Sequence, residues 1–155
     1  MSGIRRGFTF IELLIVMIVL GLLDALATLR YMDMKNRALT AQAAADMEAV
    51  RLAAYSAWYE TGAWPSEVGP GIIPTELTPY LAKGFTFTRP EYTLDWENFV
   101  PPSGGPSAGI QLGVVITSNN ARMQFALQQT LGNKGPFFIT GNDITFVLIG
   151  PDGRS

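Results

Sequence analysis

Two residue types are missing from this sequence of 155 residues, which has no histidine and no cysteine. Without them, neither a Ser-His-Asp nor a Cys-His nucleophile system can be built, and zinc sites made of histidine or cysteine ligands are excluded. Disulfide bonds are excluded by the same count. We therefore expect a chain that is not an enzyme, with no catalytic residue, no metal ligand and no cofactor.

Charged side chains are scarce. They make up 15% of the sequence, the formal net charge is −2, and the positive charges are spread along the chain without a basic tail. A nucleic-acid groove needs clustered lysine and arginine, so we expect no nucleic-acid partner. Apolar residues make up 48% and are concentrated at the N-terminus. The length suits one globular domain with an appended apolar segment.

The apolar segment near the N-terminus allows three interpretations. Its uninterrupted part, residues 13–23, is shorter than the roughly 20 residues of a membrane span. It fits the apolar part of a removable signal peptide, with an A-x-A cleavage pattern at residues 25–27. Counted over residues 8–29, the segment is long enough to anchor the chain in a membrane, and Arg5 and Arg6 would then stay in the cytoplasm.

Glu12 is the residue that a plain anchor does not explain, because a carboxylate at mid-bilayer depth costs on the order of 2.5–3.5 kcal/mol. The stretch RRGFTFIELLIVMIVLGLL resembles the class III signal of type IV pilins and of the related pseudopilins of type II secretion. The matching residues are Gly7, Phe8, Thr9, Ile11, Glu12, Leu13, Leu14 and Gly21. The resemblance implies that a prepilin peptidase cuts after Gly7 on the cytoplasmic side, that the new amine of Phe8 is methylated, and that the apolar helix is kept.

Elementary electrostatics agrees with a role of Glu12 in assembly. The cationic amine of Phe8 and the anionic side chain of Glu12 are each costly in an apolar layer, and pairing offsets much of the desolvation penalty. The resemblance implies that this pair forms between neighbouring subunits of a filament. It also implies the partners: copies of the chain and related pilins, the prepilin peptidase, the membrane, and a platform membrane protein with an assembly ATPase.

Two positions depart from the family pattern. Leu29 stands where pilins usually carry a proline that helps the helix melt locally, and Asp24 replaces what is usually a small apolar residue. We interpret Asp24 as an acid near the outer interface of the membrane, where it can reach water. A contact with Arg30 of a neighbouring subunit is the alternative.

The helical pattern continues beyond the membrane segment. No glycine or proline occurs from residue 22 to residue 61, and apolar residues recur in steps of three or four. The recurring residues are Leu39, Ala43, Met47, Val50, Ala54 and Trp58. Since Gly62 suits a helix C-terminus and Pro65 cannot continue a helix, the pattern predicts a helix over residues 8–61. Gly62, Trp64 and Pro65 resemble the turn that follows this helix in pseudopilins.

Aromatic residues cluster where this helix ends, at Tyr55, Trp58, Tyr59 and Trp64. We interpret the cluster as core between helix and sheet rather than as a ligand platform, because its spacing is helical.

Short segments with turn signals fill the rest of the chain. One helical turn is predicted within residues 74–84, with Thr75 as its N-cap, and a helix is predicted within residues 118–132. Alternating or apolar patterns predict strands. They cover residues 85–89 and 92–96 as a first hairpin, 110–117 as a central strand, and 136–140 with 144–150 as a last hairpin turning at 141–143.

These elements predict an α+β fold, a long N-terminal helix packed on a small antiparallel sheet. The predicted organisation has four parts. They are a cleaved leader at 1–7, a transmembrane and polymerisation segment at 8–29, a helical extension at 30–62, and a globular domain at 63–155.

Carboxylates in the globular part are the remaining candidates for chemistry. We interpret Glu91, Asp95 and Glu97 as a solvated strand face rather than a catalytic pair. Asp143 and Asp152 lie in predicted loops, in the region where major pseudopilins bind calcium. Calcium needs six to eight oxygens and the sequence has no D-x-D-x-D-G run, so no metal site is predicted.

The sequence therefore predicts the structural subunit of a type IV filament. We favour a pseudopilin, since the disulfide common in type IVa pilins cannot form. The precursor would sit in the bacterial inner membrane with its N-terminus in the cytoplasm and its C-terminal domain outside, and would then join a periplasmic or extracellular filament. A pilin for motility, adhesion or DNA uptake is one alternative, and a membrane-anchored periplasmic binding module is another.

Overall fold

The order of secondary-structure elements comes from a computed structural model that describes residues 8–99, 110–132 and 134–149. The elements are α1 (Phe10–Thr61), a 3₁₀ turn (Thr78–Tyr80), β1 (Thr93–Asn98), β2 (Leu112–Thr117), α2 (Ala121–Leu131), β3 (Phe137–Thr140) and β4 (Asp143–Ile149). The predicted α+β class is confirmed. The predicted cleavage residue Gly7, the loop at 101–109 and Asp152 lie outside the described residues.

The chain divides into two compact units, one ending at Asn36 and the other beginning at Arg37. In the first unit the structure describes α1 up to residue 36, and its apolar side chains are exposed all round. A helix that is apolar on every face is typical of a membrane span or a fully buried helix. Among the described helices, α1 is the one long and apolar enough to cross a membrane.

In the second unit, α1 buries one face. The predicted stripe is confirmed at Ala43, Met47, Val50 and Ala54, which are almost inaccessible to solvent. Alanines 44, 53 and 57 join them. Small side chains let the helix backbone approach its neighbours closely, and alanine has the best helix propensity. Gly62 then ends the helix as predicted, with a φ of 73° and its N–H donating to the carbonyl of Trp58 at 2.7 Å.

The sheet is antiparallel throughout, in the order β1-β2-β4-β3. The strand predicted as central, β2, is one of the two interior strands. One face of the sheet carries rows of apolar residues, such as Trp96, Val114 and Phe146, which stand opposite one another in the register. These side chains and the buried face of α1 in the second unit form a single hydrophobic core.

The last helix and hairpin follow their predicted turn chemistry. Asn120 is the N-cap of α2, and its side chain accepts a hydrogen bond from the N–H of Met123 at 3.2 Å. The β3–β4 hairpin turns at Gly141 and Asn142, since Thr140 pairs with Asp143. Gly141 has a φ of 61°, the positive value that a two-residue turn of type II′ needs at its first position.

The predicted first hairpin forms only in part, and its first strand is wrong. Residues 85–89 form no strand, and their ladder contact is an isolated bridge between Thr88 and Thr93. The hydroxyl of Thr86 accepts a hydrogen bond from the N–H of Thr88 at 3.2 Å, which bends the backbone locally. The side chain of Arg89 is bound to Asp46 of α1. Two backbone hydrogen bonds still join the segments, from the N–H of Arg89 to the carbonyl of Tyr92 at 2.9 Å and from the N–H of Leu94 to the carbonyl of Phe87 at 2.8 Å, so the ladder is short.

The predicted N-cap of the short helical turn is also wrong. Its N-cap is Leu77, whose side chain cannot cap, and the turn is a 3₁₀ segment with Pro79 in its first turn. Thr75 lies earlier, in a preceding turn where its carbonyl accepts from the N–H of Thr78 at 3.3 Å. The two overlapping turns shift the start of the helical segment by several residues.

Candidate assembly site and buried polar groups

Thr9 and Glu12 form a capping box at the start of α1. The N–H and the hydroxyl of Thr9 both donate to Oε2 of Glu12, each at 2.8 Å. In return, the N–H of Glu12 donates to the hydroxyl of Thr9 at 3.3 Å. Thr9 is therefore the N-cap, and Glu12 occupies the third helical position, where an acid also meets the positive end of the helix dipole.

This geometry gives Glu12 a role that the sequence interpretation missed. The acid caps its own helix within a single chain, before any neighbour is present. The signal was there, because T-x-x-E at residues 9–12 directly before an apolar run is the sequence signature of a capping box. Thr9, which the sequence interpretation treated only as a matching motif residue, is thus a functional partner of Glu12.

The described residues that follow the predicted cleavage position are exposed. The side chain of Phe8 is 81% exposed, and Thr9 and Glu12 are exposed as well. The structure thus places Phe8, Thr9 and Glu12 together at one accessible helix end. The cleavage at Gly7–Phe8, the methylation of Phe8 and the pairing of Glu12 with the Phe8 amine stay predictions.

The helix runs without a break through the position where the family pattern has proline. Residues 22–36 are all helical, including Leu29. The hydroxyl of Thr28 donates to the carbonyl of Asp24 at 3.0 Å, so this polar side chain is satisfied within the helix. Both residues are exposed. The contact of Asp24 with Arg30 of a neighbouring subunit stays a prediction.

A comparison with known protein families also concerns the N-terminal end of the chain. Residues 4–23 match the family described as the prokaryotic N-terminal methylation motif. That stretch contains Gly7, Phe8 and Glu12.

Over this stretch the chain is similar to type IV pilins.

Two curated relatives agree with this result. One is a fimbrial protein of Neisseria meningitidis serogroup A, 36% identical over 66 residues. Another is the type IV major pilin protein PilE of Neisseria gonorrhoeae, 34% identical over 67 residues. Each match covers 43% of the pilin-like chain and 39% or 40% of the relative, so the chain spans well under half the length of the relatives it matches. No solved structure matches it.

The aromatic cluster of the pilin-like chain is only partly buried, contrary to the sequence interpretation. Trp64 stacks on Trp58 at 5.4 Å between ring centroids and meets Tyr55 edge-on at 5.4 Å. Tyr55 and Trp64 pack against the core, but Trp58 is 44% exposed and Tyr59 is 86% exposed. Helical spacing was a poor guide here because α1 packs on the core with one face, and Tyr59 lies on the opposite face.

A buried polar group ties α1 to the loop before β1. The side chain of Asp46 accepts from Nε of Arg89 at 3.0 Å and from the hydroxyl of Tyr92 at 2.6 Å. The hydrogen bond to Asp46 raises the pKa of Arg89, while burial and then the bond to Asp46 raise the pKa of Tyr92. Arg89 and Tyr92 therefore keep their protons at neutral pH, which suits a structural group.

Asp95 contradicts the interpretation of a solvated strand face. It is only 6% exposed, and its Oδ1 atom has no hydrogen-bond partner. Burial raises its pKa to about 7, and the nearby carboxylates of Glu97 and Glu67 add to the shift. Burial also raises the pKa of Glu97. No sequence signal could have found this burial, because an acid that alternates with the core-facing residues Leu94 and Trp96 is predicted to face solvent.

The described residues hold no group of three or more acids that could bind a metal ion. They do include a polar cleft of about 400 Å³ between the start of β1 and the start of α2, lined among others by Arg89, Glu91, Ser118 and Asn119. In the pilin-like chain this cleft is the feature that a binding module would use.

Proposed function

We propose that this chain is the structural subunit of a type IV filament. It is made as a precursor in the bacterial inner membrane, with its N-terminus in the cytoplasm and its C-terminal domain outside. It is cut after Gly7 and methylated on Phe8, and its apolar helix packs into a periplasmic or extracellular polymer. The observation that carries the proposal is an exposed apolar helix within the methylation motif, whose first turn is capped by an acid.

The exposed side chains of α1 in the first unit need an apolar environment. Leucine, isoleucine, valine and methionine side chains there are about half exposed or more, which water does not favour. A bilayer covers them in the precursor, and helices of neighbouring subunits cover them in a filament. The same surface therefore serves as anchor first and as polymerisation surface later.

Glu12 adds a specific contact to the assembly, which apolar packing alone does not provide. Its charge is costly in an apolar layer, and cutting after Gly7 creates a cation one residue before the N-cap. Within one chain, the capping box holds the carboxylate at the helix end with Oε2 bonded to Thr9. The carboxylate is thus preorganised for the amine of a neighbouring subunit, and less side-chain entropy is lost on docking.

The outward face of α1 in the second unit also supports packing through this helix. Small or apolar residues recur there in steps of three or four, and no charged residue interrupts them. The stripe consists of Ala38, Ala41, Ala45, Ala49, Leu52, Ser56 and Tyr59, all exposed except the half-buried Ala49. Small residues let two helices approach closely. We infer that this stripe extends the polymerisation surface.

Three variants in cells test the proposal. Gly7→Ala should accumulate uncut precursor. Glu12→Gln should be cut normally but give few filaments, because glutamine can still serve in a capping box but carries no charge. Thr9→Ala is the matched control, since it removes the cap and keeps the charge, and it should assemble far better than Glu12→Gln. Immunoblots report cutting, and electron microscopy of sheared filaments reports assembly.

The contrary outcomes are equally clear. Normal filaments from Glu12→Gln would overturn the role of its charge. A mature N-terminus at Thr28, read by Edman degradation, would identify a removed signal peptide and favour the periplasmic binding module with its polar cleft near Arg89. A start at methylated Phe8 supports the filament subunit.

Within this proposal, we favour a pseudopilin of a type II secretion machine. The absence of cysteine and the turn at Gly62, Trp64 and Pro65 support that assignment. A pilin for motility, adhesion or DNA uptake is the second candidate, and the names of the two relatives favour it. Deleting the gene separates them. Loss of protein secretion with intact surface pili supports the pseudopilin, and loss of surface pili with intact secretion supports the pilin.

The machinery around the subunit is part of the proposal. We expect a prepilin peptidase, an inner-membrane platform protein, an assembly ATPase and related pilins as partners. Crosslinking through a photoreactive residue at position 17, in the exposed apolar segment, should capture a second copy of the chain in assembling cells. In cells without the assembly ATPase, this self-crosslink should be much weaker.

A further inference from the structure

The sheet has a second face, opposite the hydrophobic core, and this face carries a small pocket. The pocket has a volume of about 180 Å³, and its lining includes Val115, Thr145, Phe99, Phe138, Glu97 and Asp143. The register explains its layout. Val115, Thr145 and Phe138 stand side by side across β2, β4 and β3, so the first two form the floor.

The two carboxylates approach this floor from opposite ends. Glu97 pairs with Gly113 on one side of the floor row, and Asp143 pairs with Thr117 on the other side. The hydroxyl of Thr117 donates to Oδ1 of Asp143 at 2.6 Å, which fixes that acid at its end of the pocket. A ligand in the pocket therefore meets an anionic group at each end.

Gly113 keeps the pocket open. A Cβ atom at this position would lie 3.0 Å from Cγ2 of Thr145 and 3.8 Å from the ring of Phe99. The missing side chain leaves room for the Phe99 ring beside Glu97. Two aromatic rings thus line a space whose ends are acidic, and aromatic rings attract cations through their π faces.

Among the described residues, the electrostatic neighbours of Glu97 and Asp95 are other acids. The neighbouring charges that raise the pKa of Glu97 are those of Glu67 and Asp143, and those that raise the pKa of Asp95 are Glu97 and Glu67. Asp95 stands directly beside the floor residue Val115, is more than nine-tenths buried, and has an unpartnered Oδ1 atom. A buried oxygen without a partner is costly, and a cation bound nearby would lower that cost.

We propose that this pocket binds an organic cation carried on an alkyl chain, an ammonium or guanidinium group such as the side chain of lysine or arginine presented by another protein. The alkyl stem packs on Val115 and between the rings of Phe99 and Phe138. The cationic head binds the carboxylate of Glu97, at the end of the pocket where Glu67 and Asp95 are also close, and Asp143 attracts it from the opposite end. A bare metal ion fits poorly, because the described residues offer no cluster of three acidic ligands and two rings replace the oxygens that calcium needs.

The test uses the full chain in uncharged detergent micelles, followed by NMR of its backbone amides. Butylguanidinium is the probe, and butylurea is its neutral counterpart of similar shape. We expect saturable shifts of the amides of Gly113, Val115 and Thr145 with butylguanidinium and much weaker ones with butylurea. Equal binding of the two probes, or no saturable shift with butylguanidinium, overturns the proposal.

Two variants test which carboxylates bind the cation. Glu97→Gln should weaken butylguanidinium binding by about tenfold or more, since it removes a hydrogen bond between charged groups, and Asp143→Asn, at the opposite end of the pocket, should weaken it less. Glu48→Gln removes one negative charge from α1 instead and should leave the affinity unchanged. Unchanged affinity in both pocket variants, with their amide spectra otherwise intact, overturns the proposal.

The pH dependence gives an independent check. Asp95 and Glu97 hold protons to a higher pH than ordinary acids, and the other acids near them are Glu67 and Asp143. Binding of butylguanidinium should therefore be severalfold weaker at pH 5 than at pH 8. An affinity that does not change with pH, or that rises on acidification, contradicts the proposed role of the carboxylates.

Discussion

The helix α1 has two parts that bury their side chains in different ways. In the first unit its apolar side chains are exposed on all faces, and Thr9 and Glu12 bond to each other within the first turn. In the second unit the same helix buries one face in a core and is held by a distant partner, the Asp46–Arg89 pair. The apolar side chains of the first part need a bilayer or other molecules to cover them. Those of the second part are covered by residues of its own unit.

The comparison teaches that helix propensity and helix stability have different sources. Both parts are rich in good helix formers, yet only the second has a packed face within its own unit. We therefore expect mutations in the second unit to change the free energy of unfolding strongly. Mutations in the first should act on membrane insertion and assembly.

The largest effect is expected for Trp96→Ala. Trp96 is fully buried, and its ring N–H donates to the carbonyl of Pro65 at 3.0 Å. Its removal should lower the free energy of unfolding of the second unit by about 3–5 kcal/mol. Trp58→Ala, at the exposed end of α1, is the control and should cost about 1 kcal/mol. Urea unfolding of the full chain in micelles measures both.

Amide hydrogen exchange on Trp96→Ala tests whether the two parts of α1 unfold separately. Protection should fall across the second unit, including α1 from residue 43 to residue 57, while residues 13–29 in the micelle stay protected. An equal loss of protection in both parts would show that α1 is one cooperative unit and would contradict its division into two parts.

The second effect concerns the Asp46 group. Asp46→Ala leaves Arg89 and Tyr92 without their shared acceptor, and breaking a buried pair of this kind costs about 3 kcal/mol. Glu48→Gln on the same helix is the matched control, because its pair with Arg51 is far more exposed and contributes about 0.3–0.5 kcal/mol. A similar loss in both variants, measured by urea unfolding, would contradict the structural role of Asp46.

The third effect is a pH dependence of the second unit. The pKa of Asp95 rises from 3.8 to about 7 on folding, so the folded state binds more protons than the unfolded state between those values. The free energy of unfolding should therefore fall as the pH rises from about 4 to about 7, by on the order of 2 kcal/mol. Glu97, whose pKa is also raised, contributes in the same direction.

Asp95→Asn isolates this effect, because the variant cannot lose a proton at this position. Its free energy of unfolding should vary less over the same pH range and should exceed that of the wild type at pH 7. A wild-type slope of opposite sign, or an unchanged slope in Asp95→Asn, would show that Asp95 does not hold its proton in the folded state.

The smallest effect belongs to the first unit. Thr9→Ala removes the N-cap of α1 and should cost about 1 kcal/mol, confined to the first turn of the helix. Thr9→Ser keeps the hydroxyl and is the control. Faster amide exchange at residues 10–13 in Thr9→Ala, with unchanged urea unfolding of the second unit, is the expected result. A change in the unfolding of the second unit would contradict the local nature of the cap.

Local patterns predicted a large share of the fold. The end of α1 at Gly62, the Asn120 cap and the interior position of β2 all follow from spacing, capping and apolar content over a few residues. The capping box of Thr9 and Glu12 was equally readable. Each of these features depends on residues that are close in the sequence, which is the range over which propensity and periodicity act.

Three predictions failed because distant residues decide the outcome. Residues 85–89 alternate like a strand, yet Arg89 is drawn to Asp46, 43 positions earlier in the chain. Tyr59 follows Tyr55 by one helical turn, but it lies on the exposed face of α1. Asp95 alternates with core residues as a solvent-facing position should, but its face of the sheet is covered as well.

The long helix, the methylation motif at its start, the acid within its apolar run and the α+β class can all be read from periodicity, composition and short motifs. Which acids are buried, which aromatic rings are exposed and which side chains share a pocket depends on how distant elements pack. Burial is set by the sum of all packed elements, and no window of neighbouring residues contains that sum.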